Sequence, residues 1–161
     1  MADFKKIICM DFDGVIHSYT SGWKGAEVIP DPPVEGAFDA LKKYCQVFNV
    51  MVYSSRSKDP GGIPAMKQWF RVNGWVCTGA GDPVGLSFPM QKPPAFLTID
   101  DRCICFEGKF PSVDEIDNFQ TWQRRDGIFQ YIAKTHNPTV KEMNFLKKIL
   151  ADDNIKISYE D

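Results

Sequence analysis

The segment Ile7-Ile8-Cys9-Met10-Asp11-Phe12-Asp13-Gly14 decides how the rest of the chain is read. Four apolar residues in a row, bounded by a turn glycine, predict a short, fully buried strand. Asp11 and Asp13 then stand at the carboxyl end of that strand, where the chain turns away from the sheet.

The same pattern returns further along. Val47-Phe48-Asn49-Val50-Met51-Val52-Tyr53 predicts a second strand that ends at Ser54-Ser55-Arg56. Trp75-Val76-Cys77 predicts a short third strand. Ala95-Phe96-Leu97-Thr98-Ile99 predicts a fourth that runs into Asp100-Asp101, and Ile104-Cys105-Phe106 a fifth. Between the first two lies a Ser-, Gly- and Pro-rich loop, 17–33. A helix is then expected from near Val34, with Ala37, Phe38, Leu41, Tyr44 and Cys45 on its apolar stripe. A second helix is expected over Ile63 to Val72, stopped by Asn73-Gly74. Residues 79–94 read as loop. Strands alternating with helices imply right-handed crossovers and a mostly parallel sheet.

The 161 residues suffice for one domain with a real core, and 43% hydrophobic with 25% charged residues is ordinary globular composition. The 19 basic and 21 acidic residues give a net charge of -2, so no whole-chain basic field draws in long nucleic acid or an anionic membrane. No apolar stretch reaches the roughly 20 residues of a membrane span. The start of the chain lacks the pattern of a signal peptide. The five cysteines, an odd number without C-x-x-C spacing, fit reduced thiols in a cytoplasmic protein. Residues 1–126 are expected to form the core. Residues 127–161 are expected to form a helical extension packed on it, with the stripe Val140, Met143, Leu146, Ile149 and Leu150 and an alternating Ile155 to Tyr159. That stripe leaves a homodimer open.

In an open parallel sheet the carboxyl ends of the strands share one edge, and ligands bind there. Asp11, Asp13, Asp100 and Asp101 would then meet, and four carboxylates repel one another unless a cation or a proton offsets them. An all-oxygen donor set suits Mg²⁺ better than zinc. Lys92, in Gln91-Lys92-Pro93-Pro94, lies just before the fourth strand, where a fixed positive charge would balance carboxylate and phosphate.

These residues resemble the haloacid dehalogenase-like (HAD) superfamily. Asp11-Phe12-Asp13-Gly14-Val15 is similar to its first motif, and Val50-Met51-Val52-Tyr53-Ser54 to its second. Lys92 matches the third, and Thr98-Ile99-Asp100-Asp101 resembles the fourth. All four occur in order over about residues 5–106. The resemblance implies a Rossmann-like fold, with a mostly parallel sheet and helices on both faces. It implies hydrolysis of a phosphomonoester through an aspartyl phosphate, with Mg²⁺ as cofactor. Asp11 would be the nucleophile and Asp13 the general acid and then base. Ser54 would bind a phosphoryl oxygen, and Lys92 would neutralise developing charge. The metal would be held by Asp11, the Asp13 backbone carbonyl and Asp101, with Asp100 orienting Lys92 or a metal-bound water.

Ser54 and Ser55 are adjacent, so either can fill the serine place of the second motif. The intervals from Asp13 to Ser54 and from Ser54 to Lys92 are too short for a cap domain, so a capless, open crevice is expected. Substrate contacts are then expected from Ser55, Arg56, Trp23 and Lys24, with Tyr19 and His17 in the same loop. The substrate would be a nucleotide, a sugar phosphate or a nucleic-acid end. The aromatic loop tilts the choice toward nucleotides, and the charge tilts it away from nucleic acid. A phospho-accepting receiver-type module places its acidic pair first and its lysine last, an order this chain does not follow. A non-catalytic binding protein and a dehalogenase are the remaining alternatives.

Overall fold

β1 (Ile7–Met10) occupies the middle of a four-stranded parallel sheet, between β2 (Asn49–Val52) and β4 (Leu97–Ile99). The computed structural model describes residues 5–105, 107–122 and 139. β3 (Leu86–Ser87) pairs with β2 at one edge, so the order across the sheet is β3-β2-β1-β4. The register aligns Met10 with Val52 on one side and with Ile99 on the other. The strands therefore end level with one another. The Asp11 N–H donates to the Ile99 carbonyl at 2.8 Å, and the Tyr53 N–H to the Met10 carbonyl at 3.0 Å, which carries the pairing one residue further.

Alternation along the strands sends Ile8, Met10, Val50 and Val52 into the main core. There they meet Leu41 of α1 (Ala37–Val47) and Met66, Trp69 and Phe70 of α2 (Gly62–Val72). Phe38 stacks on Phe70 with ring centres 5.6 Å apart, and Phe12 sits against the edge of Trp69 at 5.0 Å. The steps β1 to β2 to β3 run in one direction across the sheet. Right-handed crossovers then place α1 and α2 on the same face, as their shared aromatic core requires. The expected cover by helices is thus found on one face in α1 and α2.

Three sequence expectations are corrected. α1 begins at Ala37 rather than near Val34, because the Val34 N–H is bonded to the Ile16 carbonyl at 2.8 Å and Gly36 takes a left-handed conformation at the cap (φ 76°). Trp75-Val76-Cys77 is not a strand of the sheet. Trp75 is buried against Phe38 and Phe70, and the chain then folds back, with Cys77 bridged to Pro83, so that Leu86–Ser87 takes the sheet edge. Ile104 and Cys105 are exposed and form no strand, while Phe106 lies outside the described residues.

The chain divides into two compact units, Met1–Asp101 and Arg102–Asp161. The first holds the sheet, and no domain is inserted between its strands among the described residues. The second holds α3 (Val113–Asp117), capped reciprocally by Ser112 and Glu115. The expected stripe from Val140 to Leu150 and the alternating segment Ile155 to Tyr159 lie outside the described residues. No helix among the described residues is long and apolar enough to cross a membrane.

Candidate functional site

β1 and β4 deliver the acidic residues to one place. Asp11 follows the last residue of β1, and Asp100 and Asp101 follow the last residue of β4. Carboxylate oxygens of Asp11, Asp100 and Asp101 all lie within 4.8 Å of one another. Gly14 makes room for the third. Its φ is 93°, and a Cβ there would stand 2.5 Å from Asp101 Oδ2. The Gly14 N–H also closes a tight turn on the His17 carbonyl at 2.8 Å. Glycine therefore suits the position twice, for its backbone conformation and for the approach of the Asp101 carboxylate.

This arrangement disfavours charge on Asp11. Burial pushes its carboxyl up to about 7, and the neighbouring Asp100, Asp13 and Asp101 add to the effect against a bond from the Phe12 N–H. The three side chains fit a hard divalent cation on chemical grounds. They offer oxygen alone, as Mg²⁺ and Ca²⁺ prefer, and oxygens this close can share one ion at about 2.0–2.5 Å after small shifts.

Asp13 belongs to a different cluster. Its Oδ1 takes a hydrogen bond from His17 Nδ1 at 2.9 Å. Its Oδ2 accepts from Arg56 Nε at 2.8 Å and from Ser54 Oγ at 3.2 Å. Burial acts to raise the Asp13 carboxyl, but the bonds from His17 and Arg56 outweigh it and hold the group below the usual carboxylate range. Two aspartates separated by one residue thus sit in opposite environments.

Ser54 is placed by its own local fold. Ser54 caps a single 3-10 turn, Ser55–Lys58: its Oγ accepts from the Arg56 N–H at 3.2 Å, and Ser57 Oγ accepts the Ser54 N–H at 3.1 Å. This turn directs the Arg56 side chain inward, where it is 0% exposed. Besides Asp13, the guanidinium binds the loop that precedes α1. Nη1 donates to the carbonyls of Gly25 at 2.6 Å, Ala26 at 3.0 Å and Val28 at 3.3 Å. Gly62 lies behind, where a Cβ would come 2.0 Å from the Arg56 carbonyl oxygen.

His17 is fully buried, stacked on Phe12 at 5.4 Å and edge-on to Trp69 at 5.6 Å. Its Nε2 accepts the Asp31 N–H at 3.3 Å, which assigns the ring proton to Nδ1 facing Asp13. The Asp31 carboxylate in turn takes Ser21 Oγ at 2.6 Å and the Ser21 N–H at 2.9 Å, closing the loop on itself.

The residues named from sequence therefore separate into three groups. Asp11, Asp100 and Asp101 form the carboxylate cluster. Asp13, Ser54 and Arg56 form a buried charged network with His17. Trp23 lies on Arg56, whose Cζ is 4.6 Å from the ring centre, and Lys24, Ser55 and Lys92 are exposed. Lys92, Asp11 and Asp100 all act on the Cys9 thiol, which burial pushes up, and this keeps Lys92 in the neighbourhood of the cluster. Arg56, expected as a substrate contact, is fully buried and ties Asp13 to the loop. The sequence places His17 in the loop beside the site but gives no sign of its bonds to Asp13 and Asp31, and Asp31 itself went unread. The available signals were a histidine four residues after Asp13, one of only two in the chain, and an aspartate held between Pro30 and Pro32.

Comparison with protein-family models, with curated proteins and with solved structures returns no match.

Proposed function

We propose that this chain is a Mg²⁺-dependent phosphomonoester hydrolase of the HAD type that works through an aspartyl phosphate on Asp11. The observation that carries the reading is the meeting of Asp11, Asp100 and Asp101 at the carboxyl ends of two adjacent parallel strands, with oxygens within 4.8 Å. The cation would be held by Asp11 and Asp101 with the Asp13 carbonyl, Asp100 standing beside them, and it would supply charge neutralisation for the phosphoryl group. Asp11 attacks phosphorus, the bond to the ester oxygen breaks, and water later releases phosphate from Asp11. Lys92 offsets the charge that develops on the phosphoryl oxygens.

Asp13 enters this scheme with a constraint. Held as an anion by Arg56 and His17, it is ready to take a proton from the attacking water. To give a proton to the leaving oxygen it must first lose the Arg56 bond. The same constraint favours one second reading. With Asp13 held in its network, Asp11 would accept a phosphoryl group and keep it, as a signalling module does.

The test is phosphate release from nucleoside monophosphates, sugar phosphates and phosphorylated oligonucleotides, with and without Mg²⁺. Metal-dependent release by the wild type that vanishes in Asp11→Asn is the expected result. Release that survives in Asp11→Asn, or none from any ester, overturns the hydrolase reading. Stable labelling of Asp11 by a small phosphodonor would then support the second.

A further inference from the structure

The loop between β1 and α1 carries a large aromatic side chain that the core does not use. Trp23 is 48% exposed, although the chain buries Trp69 and Trp75 almost completely. It stacks on no other aromatic ring among the described residues. One face of its indole lies against the Arg56 guanidinium, with Cζ 4.6 Å from the ring centre. That guanidinium is itself immobilised through Nε on Asp13 and Nη1 on three loop carbonyls. Its Nη2 is buried without a hydrogen-bond partner, so the indole supplies the electron-rich surface on that side.

The backbone around Trp23 is also set in advance. Tyr19 holds a left-handed conformation (φ 55°), as do Gly22 (φ 67°) and Gly25 (φ 115°). Strain of this kind in a non-glycine residue persists where the surroundings over-determine it, often beside a ligand site. Here the surroundings are the Ser21–Asp31 bonds on one side and the Arg56–carbonyl bonds on the other. An aromatic ring held in place before binding costs little entropy when a ligand stacks on it. A single guanidinium separates this ring from Asp13 and Ser54.

We infer that Trp23 is the stacking platform for the nucleobase of a nucleoside monophosphate whose phosphate is bound at Asp11. The inference deepens the phosphohydrolase reading and rests on it for the position of the phosphate. A base fits better than a sugar ring. The guanidinium draws the negative charge of the indole face toward itself, which weakens the opposite face as an acceptor for sugar C–H groups. Offset stacking with a second π-system does not depend on that charge in the same way.

The experiment compares wild type, Trp23→Phe and Trp23→Ala, all as full chains with Mg²⁺. Adenosine 5′-monophosphate and ribose 5-phosphate serve as substrates, and binding of adenosine 5′-monophosphate is read in parallel by calorimetry. Loss of one base–aromatic stack is worth about tenfold or more. The wild type should prefer the nucleotide in KM by about that factor. The preference should collapse in Trp23→Ala and be partly kept in Trp23→Phe. Equal KM values for both esters in the wild type, or a preference that survives in Trp23→Ala, overturns the inference. If no ester is hydrolysed, the hydrolase reading fails, and calorimetry decides the platform alone. Nucleotide binding weakened about tenfold by Trp23→Ala sustains it, and absence of binding to the wild type refutes it.

Discussion

Asp11→Asn should stabilise the metal-free chain at alkaline pH while abolishing any chemistry at the site. Asparagine keeps the size and the acceptor oxygen of aspartate but cannot ionise. In the folded chain Asp11 titrates at about 7, raised by burial and then by Asp100, Asp13 and Asp101, against an ordinary value of 3.8. A raised carboxyl binds its proton more tightly when folded. Stability is therefore lost as pH rises from the unfolded value to the folded one, and the loss is complete above about 7. At 1.36 kcal/mol per pH unit, the ionised group costs at most about 4 kcal/mol, or roughly 10 °C in Tm for a chain of this size. The assay is urea unfolding of both proteins in a chelator at pH 4.5, 6 and 8. The two should be close at pH 4.5, with the variant ahead by about 2–4 kcal/mol at pH 8. Adding Mg²⁺ at pH 8 should recover much of the deficit in the wild type and less in the variant, because a bound cation takes the place of the proton. A stability difference that is the same at all three pH values refutes the reasoning, since it would mean that Asp11 ionises in the folded chain without penalty.

Three further outcomes follow from the neighbouring residues. Arg56→Met should cost about 3–5 kcal/mol in urea unfolding, because it strands the Asp13 anion in the interior, and combining it with Asp13→Asn should recover part of that loss. Gly14→Ala should remove the Mg²⁺-induced rise in Tm, since its Cβ would stand 2.5 Å from Asp101 Oδ2 at a φ of 93° that alanine resists. Asp13 has the opposite sign to Asp11: its carboxyl is held below the usual range, so its contribution is present at neutral pH and lost as pH falls through the folded value. Asp13→Asn should accordingly flatten the acid limb of the stability curve below about pH 4, as followed by circular dichroism.

How much of this could be read in advance depended on how local the signal was. β1, β2 and β4 announced themselves because an apolar run ending in polar residues is a pattern within a few positions. The meeting of Asp11 with Asp100 followed from topology, since adjacent parallel strands end at the same edge. β3 was misplaced because the apolar run at Trp75 serves the helix core rather than the sheet. Trp75 is drawn under Phe38 and Phe70, and the modest pair Leu86–Ser87 reaches the edge instead. The tie between Asp13 and Arg56 was illegible because the residues are 43 positions apart and no periodicity links them. An arginine after a strand is by default a surface residue, and only the 3-10 turn that Ser54 caps sends this one inward.

Asp11 and Asp13 are best understood together. Environments that push neighbouring carboxyls apart are a means of giving them different tasks. Asp13 is ionised by groups that are always present, the Arg56 guanidinium and the His17 N–H. Among the described residues, Asp11 is raised by burial and faces Asp100 and Asp101. On the proposed reading the nucleophile is therefore silenced near neutral pH until a divalent cation arrives, whereas the base is ready beforehand. A phosphoryl group entering beside Ser54 would also bring oxygens that compete with Asp13 for the Arg56 Nε–H and the Ser54 hydroxyl. Losing the Arg56 bond would raise the Asp13 carboxyl from its lowered position, because burial remains while part of the compensation is gone and the His17 bond stays. Substrate binding itself would then convert Asp13 from a fixed anion into a group able to carry a proton to the leaving oxygen.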